Sequence, residues 1–339
     1  MKRRYLATGK VPPGLLGRLL RTLPPLGKDV VVGPKVGEDA AVLRPGKRLL
    51  VTATDPITFV TEDIGWYAVH VNANDIAVMG ARPRWFQAVV LLPEKKATAS
   101  LAESIFAQIR DACAELGAQL VGGHFEVTYA LPRPIVVGQM MGETIGPHPI
   151  TSSGAKPGDA LILTKGIALE GTALLAREAA PRLQNAGLGQ AFLRRARSLL
   201  RKPGISVVAE AVAATEARTT HAMHDPTEGG LATAVRELSQ ASRLGATIDL
   251  TAVPILRETK TVCQALGLDP LGLLASGSLL IAVAERDCDA LVRAVRARGV
   301  EAARIGTLTP PAERLLMQGA DGRLAPLPKF EADEVTRIL

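Results

Sequence analysis

The chain has 339 residues, a length that predicts two domains, each able to bury its own core. Hydrophobic residues make up 47% and charged residues 22%, the balance of an ordinary globular protein, and aromatics at 3% leave the core to Leu, Val, Ile and Ala. The net charge of +7 is scattered over helical faces, as at Arg194, Arg195, Arg197, Arg201 and Lys202, without interleaved aromatics, so it reads as a solvated basic surface with no nucleic-acid partner.

The three cysteines, Cys113, Cys263 and Cys288, are far apart and form no CxxC pattern, which argues for a reducing compartment and against a zinc site or a disulfide framework. No apolar stretch follows the basic start MKRRYLATGK, and the longest mostly apolar run, Leu273 to Ala284, is too short to span a bilayer. The expectation is a cytoplasmic protein with no membrane partner.

In chain order, Leu49 to Thr54 reads as a strand, Glu62 to Met79 as a helix and Trp85 to Leu92 as a strand. Ala97 to Leu116 is a helix closed by Gly117, and Gln119 to Val121 and Ile135 to Gly142 are strands. The turn-rich stretch GPHPITSSGAKPGD, Gly146 to Asp159, is the best boundary and gives domains 1–150 and 151–339. A second alternation follows. Strands are read at Ala160 to Thr164, in THAMHDP, and at Ala246 to Leu250, Ser278 to Ala284 and Ala302 to Gly306. Helices are read at Glu170 to Ala180, Leu188 to Leu200, Ser206 to Glu216, Pro226 to Arg243, Ile255 to Leu266 and Asp287 to Arg298. Two α+β halves are expected.

Within VNANDIAVMGARP, Asp75 falls at helical spacing with Ile64, Ala68, Val71, Val78 and Met79, so a carboxylate lies on the apolar stripe. Asp39 sits in a Gly-Glu-Asp turn before a short apolar strand. Asp55 ends a β-branched strand where Pro56 is expected to stop it. Each has a structural explanation by itself: turn residue, strand-end turn former, core residue bonded to a loop amide. Three within 37 residues point further, because buried carboxylates are paired, protonated or metal-bound, and magnesium favours oxygen ligands shared with phosphates.

In LVGGHFEVT, Gly122 and Gly123 are read as ending a strand ahead of His124 and Glu126, a candidate phosphate or substrate contact. In MHDPTEGGL, Asp225, Pro226 and Glu228 fit the capping box of a helix. Gly229 and Gly230 would then sit inside its first turn, where each costs on the order of 1 kcal/mol and leaves bare backbone for an anion. LTKG, with Lys165, lacks the GxxxxGK[ST] spacing of a Walker A loop.

Taken in order, GEDAA, TATDPITF, VNANDIAVMGARP, GGHFEV, LTKG, HDPTEGGL and ASGSL resemble the AIR synthase (PurM-like) superfamily, most of all its hydrogenase expression/formation HypE branch. The likeness runs from about Gly33 to Gly306. It implies an α+β, two-domain PurM-like fold, with an N-terminal α/β domain that dimerises through its sheet and a C-terminal α+β domain. It also implies ATP with Mg²⁺ on Asp39, Asp55, Asp75 and Asp225, and nucleotide contacts near Gly122, Gly123, Asn74, Thr227, Gly229 and Gly230. Lys165 and His124 become candidates for phosphate or acceptor contact, and Asn72 and Asn74 for orienting Asp75. The implied chemistry is ATP-dependent phosphorylation of an amide-type or carbonyl oxygen, then dehydration or ring closure. The implied partners are a second copy of the chain, a small-molecule or protein-borne acceptor, and hydrogenase-maturation proteins. The HypE branch ends in a cysteine, whereas this sequence ends EADEVTRIL, so a C-terminal thiocyanate is not expected. Phe125 also stands where a small hydroxyl residue is expected. A kinase of the thiamine-monophosphate type and a catalytically idle nucleotide-binding scaffold are the alternatives.

Overall fold

The computed structural model describes residues 11–339 except 59, 61 and 311–313. The basic N-terminal decapeptide and Phe59 of TATDPITF therefore lie outside the described residues. The chain divides into two compact units, one formed by Gly27–Gly33 and Asp39–Pro149, the other by the residues up to Leu26, Pro34–Glu38 and Ile150–Leu339. Helix α1 (Pro13–Leu20) groups with the second of these rather than with its neighbours in sequence.

The first unit holds strands β1 (Val30–Val32), β2 (Ala41–Leu43), β3 (Leu50–Ile57), β4 (Ala81–Pro93), β5 (Gln119–Thr128) and β6 (Ile135–Thr144), with helices α2 (Ile64–Val78) and α3 (Ala99–Leu116). The sheet order is β1-β2-β3-β6-β4-β5. β4 and β5 are parallel and joined through α3, as a parallel pair requires a crossover; the other pairs are antiparallel. α2 packs on β3, β4 and β6 with α3 beside it. Val51, Phe86, Val90, Val136 and Met140 point into that layer and are buried, while Thr54, Arg82, Arg84 and Val89 on the other sheet face are exposed.

α2 departs from the expected amphipathic stripe. Every residue but Val71 is buried, including His70, Asn72, Asn74 and Asp75, so the helix has no polar face to offer water. β3 also departs from expectation: it continues through Pro56, which pairs with Val137 of β6. β2 pairs only with Leu50 to Thr52, so among the described residues one side of β3 has no ladder from Ala53 onward for the missing proline N–H to break.

The second unit contains β7 (Asp159–Thr164), α4 (Leu169–Glu178), α5 (Ala180–Asn185), α6 (Gln190–Ser198), α7 (Val208–Glu216) and β8 (Thr220–His224). It continues with α8 (Gly230–Ser242), β9 (Gly245–Asp249), α9 (Arg257–Leu266), β10 (Leu280–Ala284), α10 (Cys288–Arg296), β11 (Ala302–Thr309), β12 (Leu315–Gln318) and β13 (Leu324–Pro326). Its sheet runs β13-β12-β9-β11-β7-β10-β8. β7 is buried along its whole length, as its central place demands, and Leu161 and Leu163 share one core with Leu231, Val235, Leu280 and Ile305. β12 and β13 have no strand reading in the sequence, because their short, half-exposed runs carry no clear alternation.

Candidate functional site

In the first unit the Asn72 side chain joins the strand that carries Asp55 to the helix that carries Asp75. Asn72 is fully buried on α2. Its Oδ1 accepts from the Asp55 backbone N–H at 2.8 Å, and its Nδ2 donates to the carbonyls of Ala68 at 2.8 Å and Asp55 at 3.3 Å. The asparagine thus fixes the backbone at Asp55, a different task from the expected orientation of Asp75. Asp75 follows Asn72 by three positions and so shares its helix face. Asp75 is 7% exposed and Asp55 half-buried, while Asn74 is fully enclosed. Asp39 is half-buried in the turn just before β2.

Gly122 and Gly123 do not end a strand. β5 runs on through His124, Phe125 and Glu126 to Thr128, pairing with β4 across a bulge between Phe86 and Gln87. Gly123 has its own reason to lack a side chain: a Cβ there would collide with the Ala88 carbonyl oxygen. His124 is an exposed strand residue with its Nε2 3.5 Å from Glu126.

In the second unit the expected capping box is absent. α8 begins at Gly230 rather than Pro226, and its N-cap is Gly229, which makes no side-chain cap. Both glycines lie in the left-handed region, at φ +78° and +63°, and a Cβ on Gly230 would press on the carbonyls of Leu271 and Leu273. Gly229 is the cap and Gly230 the first residue of α8, and glycine supplies the positive φ of both without steric cost, so the expected penalty of glycine in a regular helical turn does not apply. The Thr227 carbonyl accepts from the N–H groups of Gly230 and Ala275, tying that turn to the ASGSL loop. Asp225 is buried at the end of β8, and the preceding His224 places Nε2 3.0 Å from Glu237.

Lys165 is placed differently from a phosphate contact. Its backbone is left-handed at φ +55°, and its ammonium is buried 2.9 Å from Glu210. It also donates to the carbonyls of Gly204 and Ser206, so its three N–H groups are all engaged. The Glu210 Oε1 accepts from Thr164, while its buried Oε2 has no hydrogen-bond partner.

Sequence reasoning missed a carboxylate pair near the glycine turn. Asp333 accepts from the N–H groups of Gly229 at 2.7 Å, Val335 at 2.8 Å and Leu274 at 3.2 Å. It takes the anion place at the start of α8 that the bare glycine backbone had suggested for a ligand. Burial pushes its carboxyl above the usual range despite these donors. Glu170 is pushed up to about 7, chiefly by burial and further by the charges of Asp333 and Glu228, against a hydrogen bond with Ser276. The only sequence signal for Glu170 was a charged residue in the first turn of a helix, which occurs in many surface helices.

Residues 37–144 match the AIR synthase related protein N-terminal domain, and residues 156–316 the C-terminal domain. Carbamoyl dehydratase HypE of Cupriavidus necator is 32% identical over 284 residues, covering 79% of this chain and 76% of that protein. The crystal structure of hydrogenase maturation protein HypE in complex with ATP superposes with a TM-score of 0.71 at 25% identity, over 94% of this chain and 91% of that one. A HypE–HypF complex gives a TM-score of 0.74 at 20% identity, over 87% and 94% of the respective chains, a likeness of fold.

Proposed function

The chain belongs to the AIR synthase related family, and from that membership we propose an ATP-dependent enzyme that phosphorylates an amide-type or carbonyl oxygen of an acceptor. Phosphorylation turns a poor leaving oxygen into a good one, and its departure as phosphate drives dehydration or ring closure. A carbamoyl group, as in the name of the Cupriavidus relative, fits this scheme because its oxygen is amide-like.

We further propose Mg²⁺ with the nucleotide, held by Asp39, Asp55, Asp75 and Asp225. The donor set fits a hard cation, since all four offer carboxylate oxygen. The observation that carries this reading is the Asn72 clip, which locks the backbone of Asp55 to the helix that bears Asp75. When bound, the ion offsets charge on the phosphoryl group in transfer. Asn74, Thr227, Gly122, Gly123, Gly229 and Gly230 remain the proposed nucleotide neighbours. His124, exposed on β5, is the proposed acceptor contact. For Lys165 the geometry favours holding the turn after β7, because its donors are engaged.

The proposal includes a homodimer formed through the first unit's sheet. Among the described residues β5 pairs with β4 alone, and Val121, Phe125 and Val127 along it and Tyr129 just after it are 41–78% exposed, an edge that a second copy would cover. Because a solved relative is complexed with HypF, a maturation partner that brings a protein-borne acceptor also belongs to the proposal.

Calorimetric titration with ATP, with and without MgCl₂, tests the site. The wild type should bind Mg-ATP, and Asp75→Asn should lose at least tenfold of that affinity while keeping its melting profile. Equal affinity in the folded variant refutes the metal assignment. Phosphate release with carbamoylated acceptors then tests the chemistry: phosphate retained on the acceptor identifies a kinase, and the absence of any turnover identifies a scaffold.

A further inference from the structure

The first unit's sheet ends in a basic cavity that the proposed nucleotide site does not use. The cavity has a volume of about 380 Å³ and is lined by Lys47, Arg48, Arg82, Arg84, Glu143 and Thr144, among others. It lies at the opposite end of the sheet from Asp55. In the ladder between β3 and β6, Leu50 pairs with Glu143 and Asp55 with Gly138, five positions apart, or roughly 17 Å at the rise of a strand.

Three features of the fold gather the cations. β6 lies between β3 and β4, so Glu143 is flanked by Lys47 and Arg48 entering β3 and by the arginines of β4. Arg82 pairs directly with Glu143 across the ladder. A bulge between Pro83 and Trp85 then gives β4 one extra residue, Arg84, and Arg82, Arg84 and Trp85 all turn away from the buried face. Without the bulge, the alternation would carry one of these side chains toward the core.

The charges do not balance. Arg48 grips both oxygens of Glu143 at 3.0 and 2.9 Å, and Arg84 Nε lies 3.3 Å from Oε2. Lys47 makes no ion pair among the described residues. Three cations, Lys47, Arg48 and Arg84, therefore meet at one carboxylate, and exposed ion pairs contribute too little to explain such crowding as a stabilising device. Guanidinium forks match tetrahedral oxyanions in geometry and charge, and the cavity is at the small end of ligand pockets.

We propose that this cavity is a binding site for a small multivalent oxyanion, a phosphate monoester or an inorganic oligophosphate, separate from the nucleotide site. The test is calorimetry on the full chain without magnesium, using inorganic pyrophosphate and glucose 6-phosphate in separate titrations. Saturable binding of at least one is expected, weakening as NaCl is added. Lys47→Gln should weaken it, and Lys47→Gln with Arg82→Gln should weaken it at least tenfold, while Asp75→Asn leaves it unchanged. Lys47→Gln breaks no ion pair, so a wild-type melting curve is expected to accompany its loss of affinity. The proposal is overturned if neither anion binds the wild type, if the folded double variant binds equally well, if Asp75→Asn abolishes binding, or if only an acidic peptide binds. Which anion binds identifies its source.

Discussion

Replacing Lys165 with Met separates two roles for this lysine. Its side chain is 5% exposed and that of Glu210 is 1% exposed, so the substitution leaves a carboxylate buried without its counter-ion. Breaking one side of a buried pair costs about 3–5 kcal/mol, because the remaining charge has lost its partner but not its desolvation. Glu210 has little to fall back on, with Thr164 on one oxygen and no hydrogen bond to the other. In a domain of this size each kcal/mol lowers Tm by roughly 2–4 °C, so the unit's transition should fall by about 6–20 °C. Lys165→Met combined with Glu210→Leu removes both charges and should recover most of that loss. Scanning calorimetry measures the transition, and nucleotide binding is measured well below it, where Lys165→Met should keep ATP affinity within about threefold of wild type. A Lys165→Met protein that melts like wild type yet no longer binds or turns over ATP would refute this reasoning and return the lysine to the phosphates.

Glu170 predicts a particular pH dependence: its folded pKa of about 7 lies above the ordinary carboxyl value, so the folded state holds the extra proton and its stability declines as pH rises from the usual carboxylate range to about 7. Glu170→Gln should flatten the denaturation midpoint over that window and be the more stable protein at about pH 8; an unchanged slope refutes the assignment. Light scattering should give a dimer for the wild type and a monomer for Val127→Glu combined with Phe125→Glu, and a monomeric wild type counts against the sheet-edge interface. Cys113 and Cys263 are buried thiols pushed by burial to about 11 and about 12, and Cys288 is raised as well, so native protein should resist iodoacetamide and take up three labels only when unfolded. Rapid native labelling at any of the three, read by intact mass, would contradict their burial.

By itself the sequence determined the alternation of strands and helices, the place of α2 and α3, and the positions of Asp39, Asp55, Asp75 and Asp225 at or near element ends. Hydrophobic periodicity and breaker residues are local, and these elements obey them. The order of the motifs also carried the family, since GEDAA, the ND helix and the DPTEGG turn each hold residue types that few local structures require. Three things lay beyond it. Asn72 is read as a neighbour of Asp75 in the chain, but its bonds run to Asp55 seventeen positions away, a partner that only the packing of α2 on β3 supplies. Pro56 reads as a strand stop, yet whether a proline interrupts a ladder depends on which side of the strand is paired, and β2 is too short to reach it. The DPTEGG stretch satisfies the pattern of a capping box, but Asp333, more than a hundred residues later, takes the Gly229 N–H, and the close approach of the Leu271 and Leu273 carbonyls leaves no room for a Cβ on Gly230. Local pattern fixes what a segment is able to form, whereas the burial of a charge, the partner of a donor and the open side of a strand are set by residues remote in sequence, and only the assembled core decides them.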